Sequence, residues 1–125
     1  MIVGLGTDVV ENDRIGELYE KHGRRFLERI FTEQEIEYSL SRADPVPYLS
    51  SRFAAKEASI KALTLPPGMM LNWKDIRVEG ISFGVKTLVF TGTAKERADQ
   101  LGVQRIHLSM SHARDSSTAV VILES

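Results

Sequence analysis

The 125-residue chain contains no cysteine, which excludes thiolate zinc sites, thiol nucleophiles and disulfides and fits a reducing compartment. It lacks an apolar run long enough to span a bilayer. It opens with Met1-Ile2-Val3-Gly4 rather than a charged segment leading into an apolar one, so neither a transmembrane helix nor a secretory signal is expected. An excess of one charge is also missing: 16 Lys and Arg stand against 17 Asp and Glu, for a formal net charge of −1. That balance supports neither a nucleic-acid footprint nor a polybasic membrane surface. Repeats, low-complexity tracts and linkers are absent too. The three histidines have no metal-protease spacing, and there is no nucleophile elbow, P-loop or dinucleotide fingerprint; Gly4-Leu5-Gly6 is too short to be one. What is left is one cytoplasmic domain over residues 1–125, long enough to bury roughly two-thirds of its unfolded surface.

Residues 2–10 are rich in β-branched side chains and form a strand carrying Gly4 and Gly6, with Asp8 near its C-terminal end. Asn12 or Asp13 caps a short helix ending near Gly23, and Thr32-Glu33-Gln34-Glu35 is a capping box that opens another, giving a helical region near the N-terminus. The longest helical pattern runs over 48–63, after Pro45 and Pro47, and Pro66-Pro67-Gly68 must end it because proline lacks the amide donor. Residues 75–81 and 85–90 form a hairpin around Ser82-Phe83-Gly84. Thr93-Ala94-Lys95-Glu96 is a second capping box, its helix stopping at Gly102. Residues 105–111 alternate, with Ile106, Leu108 and Met110 on one face, and 118–123 form the last strand. This order predicts an α+β fold, a mostly antiparallel sheet packed with a long central helix.

The central helix carries the residues most in need of explanation. Leu49, Phe53, Ile60 and Leu63 form an apolar stripe with Lys56 in its middle, where a lysine either snorkels to water or meets a ligand. Glu57 and Lys61 stand at i, i+4, the spacing of an exposed salt bridge. With Arg52 they put three cations around one acid, a pattern suited to an anionic ligand held beside a metal. Asp8 is a second oxygen donor for a hard cation, although an Asp at a strand end also serves turns and caps. Ser109-Met110-Ser111-His112 reads by itself as a polar strand face. Between Arg14 and Arg29 lie five basic residues, which are either solvated surface or a docking face for an acidic protein.

Gly4-Leu5-Gly6-Thr7-Asp8-Val9-Val10, then Arg14-Ile15, Phe31-Thr32 with Glu35, and Arg52-Phe53-Ala54-Ala55-Lys56-Glu57-Ala58 with Lys61 together resemble the holo-acyl-carrier-protein synthase family. Leu108-Ser109-Met110-Ser111-His112 looks like that family's penultimate strand, so the resemblance spans essentially the whole chain. It implies a 4′-phosphopantetheinyl transferase fold and the transfer of 4′-phosphopantetheine from coenzyme A to a serine of an apo acyl carrier protein, releasing adenosine 3′,5′-bisphosphate, as in fatty acid biosynthesis. It also implies a homotrimer with active sites between subunits. By position, Asp8 and Glu57 would hold Mg²⁺ against the diphosphate. Arg52, Lys61 and His112 would contact coenzyme A phosphates, with Lys56 in the same motif. Arg14 matches a carrier-docking arginine, and Arg24 and Arg25 would extend that surface. Glu57 has three roles open to it: ligand only, direct base, or orienter of a metal-bound water. Two departures stand out: Ala62-Leu63-Thr64-Leu65-Pro66-Pro67-Gly68 replaces a Gly-Thr-Gly-like loop, and a proline is missing from the 82–84 hairpin. The rival from another class is a non-catalytic coenzyme A or nucleotide-binding module, against which the pairing of Asp8 with Glu57 argues. A purely interaction-based role would leave Lys56 unexplained.

Overall fold

The computed structural model describes residues 1–80 and 85–125; the expected turn at Ser82-Phe83-Gly84 lies outside them. Strand β1 (Ile2–Glu11) leads into three short helices, α1 (Asn12–His22), α2 (Arg24–Ile30) and α3 (Glu33–Leu40), and then the long α4 (Val46–Leu63). After the short 3₁₀ turn Trp73–Asp75 come β2 (Ile76–Glu79), β3 (Thr87–Phe90), α5 (Gly92–Gln100), β4 (Arg105–His112) and β5 (Ser116–Glu124). One antiparallel sheet has the order β1-β5-β4, and β2 and β3 make a second. The α+β expectation holds. The closure of the larger sheet by the first and last strands, Asp8 opposite Ala119, is a long-range pairing that local patterning does not reveal.

The helix boundaries match expectation in part. The expected helix end near Gly23 is found: Gly23, at φ 60°, separates α1 from α2 and leaves Arg14 and Arg25 on different helices. Asn12 does not cap α1. Its buried amide donates instead to the Ala113 and Arg114 carbonyls and its oxygen accepts from Ser117, tying the start of α1 to the β4–β5 turn. Thr93 is not a cap either: the chain turns at Gly92, φ 54°, and α5 begins two residues earlier, behind Thr91. The Thr32 capping box forms in full, with Glu35 reaching back to the Thr32 amide at 2.8 Å.

Helix α4 is the axis of the core. Its Ala54, Ala55, Ala58 and Ala62 are wholly buried, as are Leu49 and Leu63. Small side chains let β1 approach closely: a Cβ at Gly4 or Gly6 would run into the carbonyl oxygens of Ala62 and Ala58 respectively. The two glycines therefore serve helix–strand packing. That approach sets the position of Asp8, two residues further along the same face of β1.

Candidate active site

Where β1 meets α4, the structure gathers Asp8, Glu57 and Lys61. Lys61 Nζ donates to Asp8 Oδ1 at 3.1 Å and to the Thr7 carbonyl at 2.9 Å, instead of forming the i, i+4 pair with Glu57. Asp8 is mostly enclosed, its side chain 16% exposed, while Lys61 reaches outward at 55%. The Glu57 carboxyl is raised above its ordinary value, first by partial burial and then by the Asp8 charge, with Lys61 and Arg14 pulling it back. Those couplings put Arg14, exposed on α1, beside the same cluster. Two carboxylates crowded so that one holds its proton more tightly, with cations on their rim, are suited to a divalent cation and a polyanion. Among the described residues no group of three or more His, Asp or Glu side chains could cage a metal. A cation here would rest on Asp8 and Glu57, an all-oxygen pair that fits Mg²⁺, which keeps waters and shares its remaining positions with substrate phosphates.

Arg52 and His112 meet elsewhere, in a crevice of about 170 Å³ lined by Tyr38, Tyr48, Arg52, Lys86, Ser111 and His112. The Arg52 guanidinium lies 4.4 Å from the centre of the Tyr38 ring, donates to the Tyr48 carbonyl at 3.3 Å, and keeps a buried Nε with no partner among the described residues. Burial lowers its pKa from the ordinary arginine value, with the Glu35 charge opposing. His112 packs edge-on against Tyr48, centroids 5.2 Å apart. Arg42 stands over the Tyr48 ring at 5.1 Å, and Lys86 over the Tyr38 ring at 4.6 Å. Among the described residues no carboxylate lines this crevice, so it too suits an anion. It opens beside β4, at the opposite edge of the sheet from Asp8. Tyr48 had a sequence signal, sitting one turn before Arg52; Tyr38, Arg42 and Lys86 come from other segments and had none.

Lys56 joins neither group. Its side chain is fully buried, with Nζ 3.0 Å from Glu35 Oε1 and donating to the carbonyls of Trp73 and Ile76. Glu35 also accepts from the Val78 amide at 3.0 Å, so the pair ties α3, α4 and β2 together. Both expectations for Lys56 are corrected: it does not snorkel, and its three donors are spent inside the core. Burial pushes its pKa down, and the Glu35 carboxylate opposes that shift. The place of Lys56 on an apolar stripe therefore says nothing about a ligand.

The three docking candidates separate as well. Arg14 stands by the carboxylate pair. Arg24 is occupied within its own chain, by Glu28 at 3.1 Å and Glu33 at 2.5 Å. Arg25 lines a groove of about 570 Å³ with Leu18, His22, Phe26, Arg29 and Trp73.

Set beside known proteins, residues 4–121 match the profile of the 4′-phosphopantetheinyl transferase superfamily. The chain is 48% identical over 121 residues, 97% of its length and 95% of the relative's, to the holo-[acyl-carrier-protein] synthase of Leptospira biflexa serovar Patoc. It is 44% identical over 99% of both chains to the Maridesulfovibrio salexigens protein of the same name. Among solved structures it superposes on the Neisseria meningitidis holo-[acyl-carrier-protein] synthase with a TM-score of 0.87, at 34% identity over the whole of both chains. The Helicobacter pylori enzyme, solved in complex with coenzyme A, gives 0.81 at 28% identity, covering 96% of this chain and 99% of that one. The chain belongs to the 4′-phosphopantetheinyl transferase superfamily and, within it, to the holo-[acyl-carrier-protein] synthases. It is a transferase, and the non-catalytic reading is set aside.

Proposed function

We propose that residues 1–125 act as one domain that moves 4′-phosphopantetheine from coenzyme A to a serine of an apo acyl carrier protein, releasing adenosine 3′,5′-bisphosphate. The observation that carries this reading is the convergence of Asp8, Glu57 and Lys61 at the β1–α4 contact. Transfer of a phosphoryl group from a diphosphate to a hydroxyl requires charge neutralisation and in-line positioning more than a protein nucleophile. Asp8 and Glu57 would hold Mg²⁺, which when bound supplies that neutralisation. Lys61, exposed beside them, offers its ammonium to a phosphate oxygen. The serine oxygen forms its new bond to phosphorus as the bridging P–O bond of the diphosphate breaks. Arg52 and His112 hold a further coenzyme A phosphate in the tyrosine-lined crevice. Arg14, next to the carboxylates, aligns an acidic carrier, and Arg25, with Arg24 more weakly, extends the docking surface. In this reading the protein works in the cytoplasm, in fatty acid biosynthesis; among the described residues no helix is long and apolar enough to cross a membrane.

A homotrimer with interfacial sites is part of the same proposal. Support comes from the outer face of the sheet, where Ile2, Leu5 and Val9 are 62%, 61% and 68% exposed and Val120 is 38% exposed. Leu5 pairs with Ile122, and Thr7 with Val120, so these apolar groups lie together on that face, which becomes charged where Ile2 meets Glu124 and its Arg105 and His107 partners. Such a face calls for a partner. A neighbouring copy presenting its β4 edge near β1 would also unite the Arg52–His112 crevice with the Asp8–Glu57 cluster. The test is intact-mass analysis of an apo carrier protein incubated with this chain, coenzyme A and Mg²⁺. One added phosphopantetheine is expected, and an unchanged mass refutes the assignment.

A further inference from the structure

Helix α4 ends on Thr64, which has φ 42° and ψ 68° and is, among the described residues, the one non-glycine residue at positive φ. A β-branched residue is unfavourable there, so something outside the helix must hold it. The holder is Arg97 on α5. Its Nε donates to the Leu63 carbonyl at 3.0 Å and its Nη2 to the Thr64 carbonyl at 2.9 Å, while Nη1 is anchored to Gln100 Oε1 at 3.1 Å. The guanidinium thus caps two carbonyls at the negative end of α4 and places its charge where the helix dipole favours it. The same last turn carries Lys61, whose carbonyl accepts from the Thr64 amide at 3.3 Å and whose ammonium faces Asp8.

We infer that Arg97 is a positioning residue for the transfer reaction: by clamping the Leu63 and Thr64 carbonyls it fixes the turn from which Lys61 reaches the coenzyme A phosphates. This rests on the function proposed above for Lys61. A lysine at 97 keeps the charge but cannot span both carbonyls in a fixed fork. Arg97→Lys and Arg97→Leu should therefore both raise the KM for coenzyme A, by about five- to tenfold for the leucine variant, as loss of charge-assisted hydrogen bonds implies. The KM for the carrier should stay unchanged. Thr64→Gly, which removes the need to hold a side chain at positive φ, should restore most of the loss in the Arg97→Leu background. Calorimetric titration of coenzyme A should show the same weakening and the same rescue. Thermal unfolding run in parallel identifies any variant that does not fold, in which case Arg97→Lys decides. An unchanged coenzyme A KM in a folded variant, equal rises in both KM values, or no rescue by Thr64→Gly would overturn the inference. A wild type that binds coenzyme A but transfers nothing would instead overturn the function on which it rests.

Discussion

Replacing Lys56 by methionine tests the core ion pair directly. Methionine keeps most of the apolar stem, so little cavity is created and the loss is electrostatic. The Glu35 carboxylate would remain buried with two backbone donors, Thr32 and Val78, and would lose its ion-pair partner, leaving the more distant Arg52 charge. The carbonyls of Trp73 and Ile76 would lose the ammonium that they now accept from. Breaking one side of a buried pair costs about 3–5 kcal/mol, a large share of the roughly 5–15 kcal/mol that holds a domain together. Adding Glu35→Gln removes the stranded charge, so the double variant should recover about 1–3 kcal/mol relative to the sum of the single losses. The assay is urea unfolding at one fixed protein concentration, because assembly would make stability concentration-dependent. A loss for Lys56→Met below about 1 kcal/mol, the range of an exposed pair, would refute the reasoning. So would a folded Lys56→Met protein whose coenzyme A KM has changed, since the ammonium has no free donor for a ligand.

Glu57→Gln should abolish transfer yet raise the melting temperature at neutral pH. The folded carboxyl is raised, so in the window just above the ordinary carboxylate range the folded state binds more protons than the unfolded state, and stability falls as pH rises through it. Wild type and variant should converge below that window; a variant less stable at neutral pH contradicts this. Arg14→Glu should weaken recognition of an acidic carrier and flatten its salt dependence while leaving coenzyme A affinity unchanged, and identical carrier kinetics across a salt series would make this stretch solvated surface only. Leu5→Glu together with Val9→Glu should convert a trimer to monomers in sedimentation equilibrium, with loss of transfer. An active monomeric wild type would contradict both the assembly and the shared site.

Much of the scaffold was legible because its signals are local. Prolines bound α4, a complete capping box opens α3, and alternation marks the inward face of β4. The acidic half of the site was legible too: Asp8 near a strand end and Glu57 with Lys61 at helical spacing do converge. What stayed hidden depends on tertiary partners. The capping box already accounted for Glu35, so nothing in the sequence said that its carboxylate also takes Lys56 from a helix 21 residues away. A short salt bridge between Glu57 and Lys61 is the local default, and only the close approach of β1, permitted by Gly4 and Gly6, gives Lys61 a different acid. The second capping box failed because Gly92 turns the chain before Thr93 is reached. The crevice around Arg52 draws on α3, α4, the β2–β3 region and β4, which no spacing rule joins.

In the proposed reaction, transfer depends on the metal-ligand pair Asp8 and Glu57, brought together by β1 and α4. The most direct test of that dependence is the intact-mass assay run across a Mg²⁺ titration with wild type, Asp8→Ala and Glu57→Ala, each shown to be folded. Wild type should add one phosphopantetheine to the carrier, and both variants should lose most of that activity at every Mg²⁺ concentration. Near wild-type turnover by either folded variant would contradict the account.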